Sequence, residues 1–424
     1  MIFFKPLKST YLLLFFIFNI QLISVAQNIK STFKNNFKQK AQLKTGAERT
    51  GLYLPFLKNK NVAVVSNQTS VIYSTKDSIF EVFPGKNDVY FDHIRHNNTH
   101  LVDSLLSLDI SVKKVFAPEH GFRGKVDAGE VVKDGFDDKT GVPIVSLYGK
   151  NKKPSAKQLD QIDIVVFDIQ DVGTRFYTYI SSLHYVLEAC AEVGIPVLIL
   201  DRPNPNGHYI DGPVLELEYK SFVGMHQVPV VYGMTIGEYA KMINGERWLK
   251  NGIQCDLKVI PLANYSHSYT VSLPIKPSPN LPNDTSINLY PSLCFFEGTN
   301  VSVGRGTEMQ FQVYGSPFLK QGDFMFTPKP NEGAKYPKHN AEICFGEDLR
   351  TKESLNQLDL SYLIRAYKQN TSKEFFNNFF TKLAGTKKIQ QQLELGLSEN
   401  EIRKSWEEDL KAFKIIREKY QLYK

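Results

Sequence analysis

Short apolar runs alternate with amphipathic segments along most of this chain. Asn61–Val65, Ile110–Ala117, Val142–Leu147, Ile162–Phe167, Pro196–Leu200 and Asp256–Leu262 read as buried strands, each a brief continuous apolar run bounded by turn residues. Between them, Thr99–Asp109, Ser155–Gln161, Phe176–Val193 and Ile236–Leu249 carry helical apolar spacing. Thr99 stands at an N-cap position, Thr235-Ile-Gly-Glu238 is a capping box, and Gly194 is a helix stop. Strands alternating with helices imply right-handed βαβ units. The predicted fold class is therefore α/β, a Rossmann-like and mainly parallel sheet flanked by helices. From about residue 263 the texture changes. Ile275–Pro282 is too rich in proline for regular structure, and Tyr290–Thr307 is irregular and rich in glycine. Leu358–Gln369, Ser372–Leu383 and Glu399–Tyr420 are helical in pattern. The expected division is a Rossmann-like catalytic domain over 45–262 and a smaller α+β domain over 263–424 that completes a cleft.

The predicted strands share a polar ending. In a parallel sheet those endings lie along one edge, and ligands bind in the crevice beyond the carboxyl ends of the strands. That edge would collect Asn67, Gln68, Glu119, His120, Arg123, Asp168, Asp171, Arg175, Asp201, Arg202 and Asn204. The densest of these endings is Val115-Phe-Ala-Pro-Glu-His-Gly-Phe-Arg-Gly124, where glycines let the backbone turn sharply. One such loop, taken alone, reads equally well as solvated surface. Several along one edge are hard to explain by solvation.

The N-terminus changes the picture of where the protein works. Lys5 and Lys8 precede an apolar stretch, Tyr11–Val25, too short for a membrane span, and Ser24-Val25-Ala26 fits a cleavage site. Residues 1–26 are expected to be a signal peptide and 27–44 a flexible leader, so that the mature protein is exported to the periplasm or outside the cell, with no membrane span once the signal is cleaved. The formal net charge of the 424 residues is +7, and it is diffuse. That excludes a nucleic-acid footprint and is compatible with an anionic polymer. The four cysteines are far apart, without C-x-x-C spacing, so neither zinc nor redox chemistry is indicated. Neither phosphate-cradling glycine motif occurs, and Gly304-Arg-Gly306 does not follow a strand, so no dinucleotide cofactor is expected. G-x-S-x-G and H-E-x-x-H are absent as well. No cofactor and no metal are predicted.

What remains is acid/base chemistry by carboxylates, as in glycoside hydrolysis. Glu119, beside Pro118 and Phe122, is the candidate general acid, His120 could orient it or meet substrate, and Asp168 or Asp171 is the candidate partner carboxylate. Arg123, Arg175 and Arg202 could pair those acids or clamp a substrate carboxylate. Asp168 could equally be consumed by an arginine, Asn204 could be a turn residue, and Glu238 reads as a cap. Glu297 and Glu308 would matter only if their stretch folds back over the sheet edge.

E-H-G-F-R-G, D-I-Q-D-V-G-T-R-F-Y-T-Y, L-D-R-P-N-P, G-M-T-I-G-E, P-S-P-N-L-P and F-E-G-T-N-V-S-V-G-R-G-T follow one another in order. With them the chain, from about residue 45 to its end, resembles the exo-β-N-acetylmuramidases of the NamZ type. The resemblance implies an exo-acting glycosidase that releases N-acetylmuramic acid (MurNAc) from the non-reducing end of peptidoglycan fragments, with a Rossmann-like domain, a smaller second domain and a cleft between them. It implies Glu119 as the catalytic glutamate and a muropeptide or disaccharide as substrate. Asn67, Arg123, Asp171, Arg175, Asp201, Arg202, Asn204 and Glu308 are the expected substrate-binding residues. Asn206-Gly207-His208 and Tyr232 depart from the family pattern and are expected to bear on a sugar subsite. A glycan-binding protein without turnover, or a hydrolase of another amino-sugar glycan, are the alternatives.

Overall fold

The predicted strands, buried almost continuously, build one central sheet. The computed structural model describes residues 43–73, 80–82, 88–91, 98–123 and 134–424. The expected signal peptide, leader residues 27–42 and Gly124 lie outside the described residues. The strands are β1 (Asn61–Ser66), β2 (Val71–Tyr73), β3 (Phe80–Val82), β4 (Asp88–Phe91), β5 (Asn98–His100), β6 (Ser111–Ala117), β7 (Gly135–Phe136), β8 (Pro143–Ser146), β9 (Ile164–Asp168), β10 (Val197–Leu200) and β11 (Leu257–Ile260). Seven of them form the central sheet in the order β11-β10-β9-β1-β6-β8-β7. All its pairings are parallel except β7 with β8.

Alternate residues of each strand serve opposite faces. In β1, Val62 and Val64 join one core with α1 (Thr50–Leu57) and α2 (Leu101–Ser107), whereas Ala63 and Val65 join the other with α3 (Tyr179–Val193) and α4 (Ile236–Gly245). Both faces are covered, which is why the strands read as unbroken apolar runs rather than as alternating ones. The C-terminal elements pack on the α3/α4 side. They are β12 (Thr270–Val271), α5 (Asp284–Leu293), β13 (Val313–Ser316), β14 (Phe324–Phe326), β15 (Cys344–Asp348), α6 (Ser361–Gln369), α7 (Phe380–Ala384), α8 (Lys388–Glu394), α9 (Glu399–Lys404) and α10 (Glu407–Glu418). One hydrophobic cluster runs from Leu43 through Phe295, Phe380 and Trp406 to Tyr423, and residues 43–424 form one compact unit. Leu43 and Lys44 belong to that fold: Leu43 is buried, and Lys44 pairs with Ala263.

Several expected helices are shorter, and each has a local cause. Thr99 lies in β5, paired with Ile72, so the cap of α2 passes to His100, whose ring accepts from the Val102 N–H at 3.3 Å. Ser155–Gln161 is a run of turns, with Lys114 Nζ taking the Gln158 carbonyl at 2.7 Å. The Thr235 capping box is present, but α4 ends at Gly245, where the Tyr420 ring fills the space a Cβ would take. Phe376 bridges to Thr299, which keeps the chain before α7 out of a helix. The last predicted helix breaks into α9 and α10 at Trp406, whose side chain is buried.

Candidate active site

The chain builds β1, β6 and β8 outward in one direction and then β9, β10 and β11 in the other, so the topological switch lies between β1 and β9. The crevice beyond the strand ends at such a switch is where an open α/β sheet binds ligands. Glu119 stands just past β6, which is next to β1. Two left-handed residues follow, His120 with φ 70° and Gly121 with φ 75°, and turn the chain back so that the Gly121 N–H reaches the Pro118 carbonyl at 3.1 Å. A histidine in that conformation is uncommon and is held here by its surroundings. Phe122 anchors the loop: it is buried, and its ring meets the His100 ring edge-on at 4.9 Å.

Both carboxylate oxygens of Glu119 are held by hydroxyls. Tyr148, just past β8, donates to Oε1 at 2.8 Å, and Thr178, at the start of α3, donates to Oε2 at 2.6 Å. Behind them, Asn67 donates to the Tyr179 hydroxyl at 2.8 Å, and that hydroxyl donates to the Glu119 carbonyl at 3.3 Å. Strand ends β1, β6 and β8 and the first turn of α3 thus fix one side chain.

Glu119 and His120 open into a cavity of about 420 Å³. Its wall includes Tyr148, Lys152, Phe176, Tyr177, Thr178, Phe222, Ser278, Asn280, Tyr290, Glu297, Arg305, Phe311 and Phe379. Residues 290–307, expected to be irregular, open with the last turn of α5 and a 3-10 turn over Cys294–Gly298, and they fold back to the sheet edge. They bring Glu297 and Arg305, paired at 3.0 Å, to the same cavity, whereas Glu308 is exposed and does not line it. Among the described residues no cluster of His, Cys, Asp and Glu is placed to hold a metal, and no helix is long and apolar enough to cross a membrane.

Most of the other expected site residues are occupied elsewhere. Asp168 is sealed from solvent and gripped at both oxygens by Arg202, at 2.6 and 2.9 Å. Its candidacy as partner carboxylate and that of Arg202 as a substrate clamp are corrected to a buried ion pair. Arg175 is also sealed, with its guanidinium donating to the carbonyls of Pro213, Val228, Leu383 and Ala384 at 2.7–3.0 Å. It ties the start of α3 to the end of α7 and does not face the cavity. Burial lowers its pKa to about 9. Asp171 accepts from the Tyr232 hydroxyl and from the Gly173 N–H, and burial pushes its carboxyl up to about 6. Tyr232 is therefore a buried partner of Asp171 rather than a subsite residue. Asn206 is likewise internal, with its amide on the carbonyls of Val172 and Ile287. His208, another of the departures, donates from Nε2 to the Leu355 carbonyl at 3.1 Å, away from the cavity.

Asp201 secures the N-terminus of α4, accepting from the Gly237 N–H and the Thr235 hydroxyl at 2.8 Å and from the Tyr423 hydroxyl at 2.6 Å. Burial pushes its carboxyl up to about 7. Asn204 is buried against Gly173, where a Cβ would collide with its amide, and it donates to the Met234 carbonyl at 2.8 Å. Arg123 pairs with Asp137 at 2.6 Å and Asp103 at 3.3 Å, outside the cavity. Asn67 reaches the site only through Tyr179. Sequence reasoning missed Tyr148, Thr178, Asn280 and Arg305 as site residues. Each stands directly after a predicted strand or inside one of the six ordered motifs, which was the available signal.

Residues 62–285 match the family described as exo-beta-N-acetylmuramidase NamZ, N-terminal, and residues 288–423 match its C-terminal counterpart. The chain belongs to the NamZ family. The peptidoglycan beta-N-acetylmuramidase NamZ of Bacillus subtilis (strain 168) is 37% identical over 421 residues, covering 92% of this chain and 94% of that relative. Among solved structures, a DUF1343 family protein from Bacteroides fragilis NCTC 9343 superposes with a TM-score of 0.78 at 45% identity, over 91% of this chain and 99% of its own. A second DUF1343 protein of the same organism gives a TM-score of 0.72 at 25% identity, over 90% and 99%. The Rossmann-like reading holds in the NamZ fold, with a central parallel sheet and a smaller C-terminal part.

Proposed function

We propose that this protein is an exo-acting glycosidase that cleaves MurNAc from the non-reducing end of peptidoglycan fragments, with Glu119 as the general acid. The observation that carries the assignment is a cavity-facing carboxyl whose two oxygens are fixed by Tyr148 and Thr178. Family membership supports the reaction class, and the bond geometry supports the residue. Glu119 delivers a proton to the glycosidic oxygen as the bond to the anomeric carbon breaks. The carboxylate that forms is stabilised by the two hydroxyls already aimed at it. His120 borders the same space. Phe176, Tyr177, Tyr290 and Phe311 give the cavity wall an apolar side on which the C–H groups of a sugar ring can rest.

MurNAc carries a lactyl carboxylate that GlcNAc lacks. Arg123 and Arg175, the expected partners for it, do not line the cavity, whereas Lys152 and Arg305 do. Arg305 is engaged by Glu297, and Lys152 Nζ lies 4.2 Å over the Phe222 ring at the cavity wall. Lys152 is therefore the proposed carboxylate reader, and Lys152→Gln is expected to erode the preference for MurNAc over GlcNAc. The basic and then apolar N-terminal segment supports export, and with it a role in cell-wall turnover outside the cytoplasm.

The test is release of free MurNAc from MurNAc-GlcNAc by the mature protein beside Glu119→Gln. General acid catalysis contributes about 10²–10⁴-fold, and the variant should lose that much while still binding the disaccharide. No release by folded wild type would leave a glycan-binding module or a hydrolase of another glycan. Undiminished release by the variant would remove Glu119 from the mechanism.

A further inference from the structure

We infer that Glu297 is the second catalytic carboxylate, taking the proton from the water that attacks the anomeric carbon. This rests on the glycosidase reading above, which needs a second group once Glu119 is the acid. Asp168, Asp171 and Asp201 are sealed by Arg202, Tyr232 and the α4 N-terminus. Among the described residues, Glu119 and Glu297 are the carboxylates that line the cavity.

The two carboxylates are held differently. Glu119 has a hydroxyl donor on each oxygen, as suits an acid whose conjugate base must be stabilised. Glu297 is pinned by one oxygen only, Oε1 to Arg305 Nε at 3.0 Å, and Oε2 carries no hydrogen bond from a described residue. Its side chain is about a quarter exposed, at 26%. A carboxylate oxygen with no donor among the described residues, on a partly exposed side chain at a cavity wall, is an acceptor for water. The turn that carries it is rigid. Lys338 Nζ donates to the carbonyls of Phe296 and Val301, both at 3.0 Å, and to that of Thr299, so the backbone on either side of Glu297 is clamped to one half-buried ammonium. The Arg305 guanidinium lies 5.5 Å from the Phe311 ring centre, which limits how far the ion pair can swing.

The step balances without a co-reactant. A water oxygen bonds to the anomeric carbon as its proton passes to Glu297. The electron pair of the glycosidic bond moves to the leaving oxygen, which takes the Glu119 proton. The first product from a β-linked substrate is then α-MurNAc, and exchange with solvent restores both carboxyl groups.

The experiment compares wild type, Glu297→Gln and Glu297→Ala on MurNAc-GlcNAc, with the first-formed anomer read by proton NMR and folding checked by thermal melting. Expected are α-MurNAc from wild type, a loss in kcat of about 100-fold or more in both variants, and recovery of Glu297→Ala turnover by sodium azide with α-glycosyl azide as product. A loss below about 50-fold in folded Glu297→Gln, or β-MurNAc as the first product, would overturn the role of Glu297 and point instead to the acetamido group of the substrate or to another carboxylate. Failure of the parent reading looks different: wild type itself would then release nothing.

Discussion

Thr178→Val tests whether Glu119 works through the hydroxyls that hold it. The substitution is nearly isosteric and removes the 2.6 Å bond to Oε2. Thr178 also occupies the N-cap position of α3, but its side chain makes no capping hydrogen bond, so no helix cap is lost. The magnitude follows from the difference between two states. A hydroxyl bonded to a neutral carboxyl is worth about 1 kcal/mol, and one bonded to a carboxylate about 1.5–3 kcal/mol. Glu119 passes from the first state towards the second as it gives up its proton. Losing the donor therefore costs up to about 0.5–2 kcal/mol more in the transition state than in the ground state, or about 2- to 30-fold in kcat. KM for the disaccharide should hardly change, because Thr178 is bonded to the catalyst and not to the sugar. The assay is initial-rate MurNAc release across substrate concentration, with melting temperature as the control. A kcat within twofold of wild type, at unchanged stability, would refute the idea that these hydroxyls stabilise the developing carboxylate. A lower melting temperature with normal kcat would assign Thr178 to the fold alone.

Arg175→Met should unfold the protein more readily without touching substrate. Four buried carbonyls lose their donor at about 1–3 kcal/mol each, partly offset by relief of the buried charge, so urea denaturation should report a net loss of at least about 3 kcal/mol. Full stability with a raised KM would instead restore Arg175 to the substrate. The Arg123–Asp137 pair makes a pH prediction. Arg123, with help from Thr140, holds the Asp137 carboxyl down at about 2, below its unfolded value. Its stabilisation is fully present above about pH 4 and is lost as pH falls through about 2, so Arg123→Gln should flatten the stability profile in that window and leave it parallel to wild type at neutral pH.

The local pattern alone determined a good deal. Continuous apolar runs separated by amphipathic segments specify buried parallel strands and covering helices, because burial on both faces leaves no polar position in the strand. The Thr235 capping box, the Gly194 stop and the turn after β6 were equally readable, since capping and left-handed turns depend on residues a few positions apart. Glu119 was legible for the same reason: its strand, its turn and its polar neighbours are contiguous. What the sequence left open was which of the polar strand ends face a ligand and which are consumed inside. That choice is made by distant partners. Asp168 is paired with a residue 34 positions away, Arg175 with one 208 away and Asp201 with one 222 away. A buried charge must be neutralised or fully hydrogen-bonded, and the group that does so can come from anywhere in the chain. Only the folded arrangement turned most of that polar edge into internal ties, and only it carried Glu297 and Arg305 back to the cavity in which Glu119 stands.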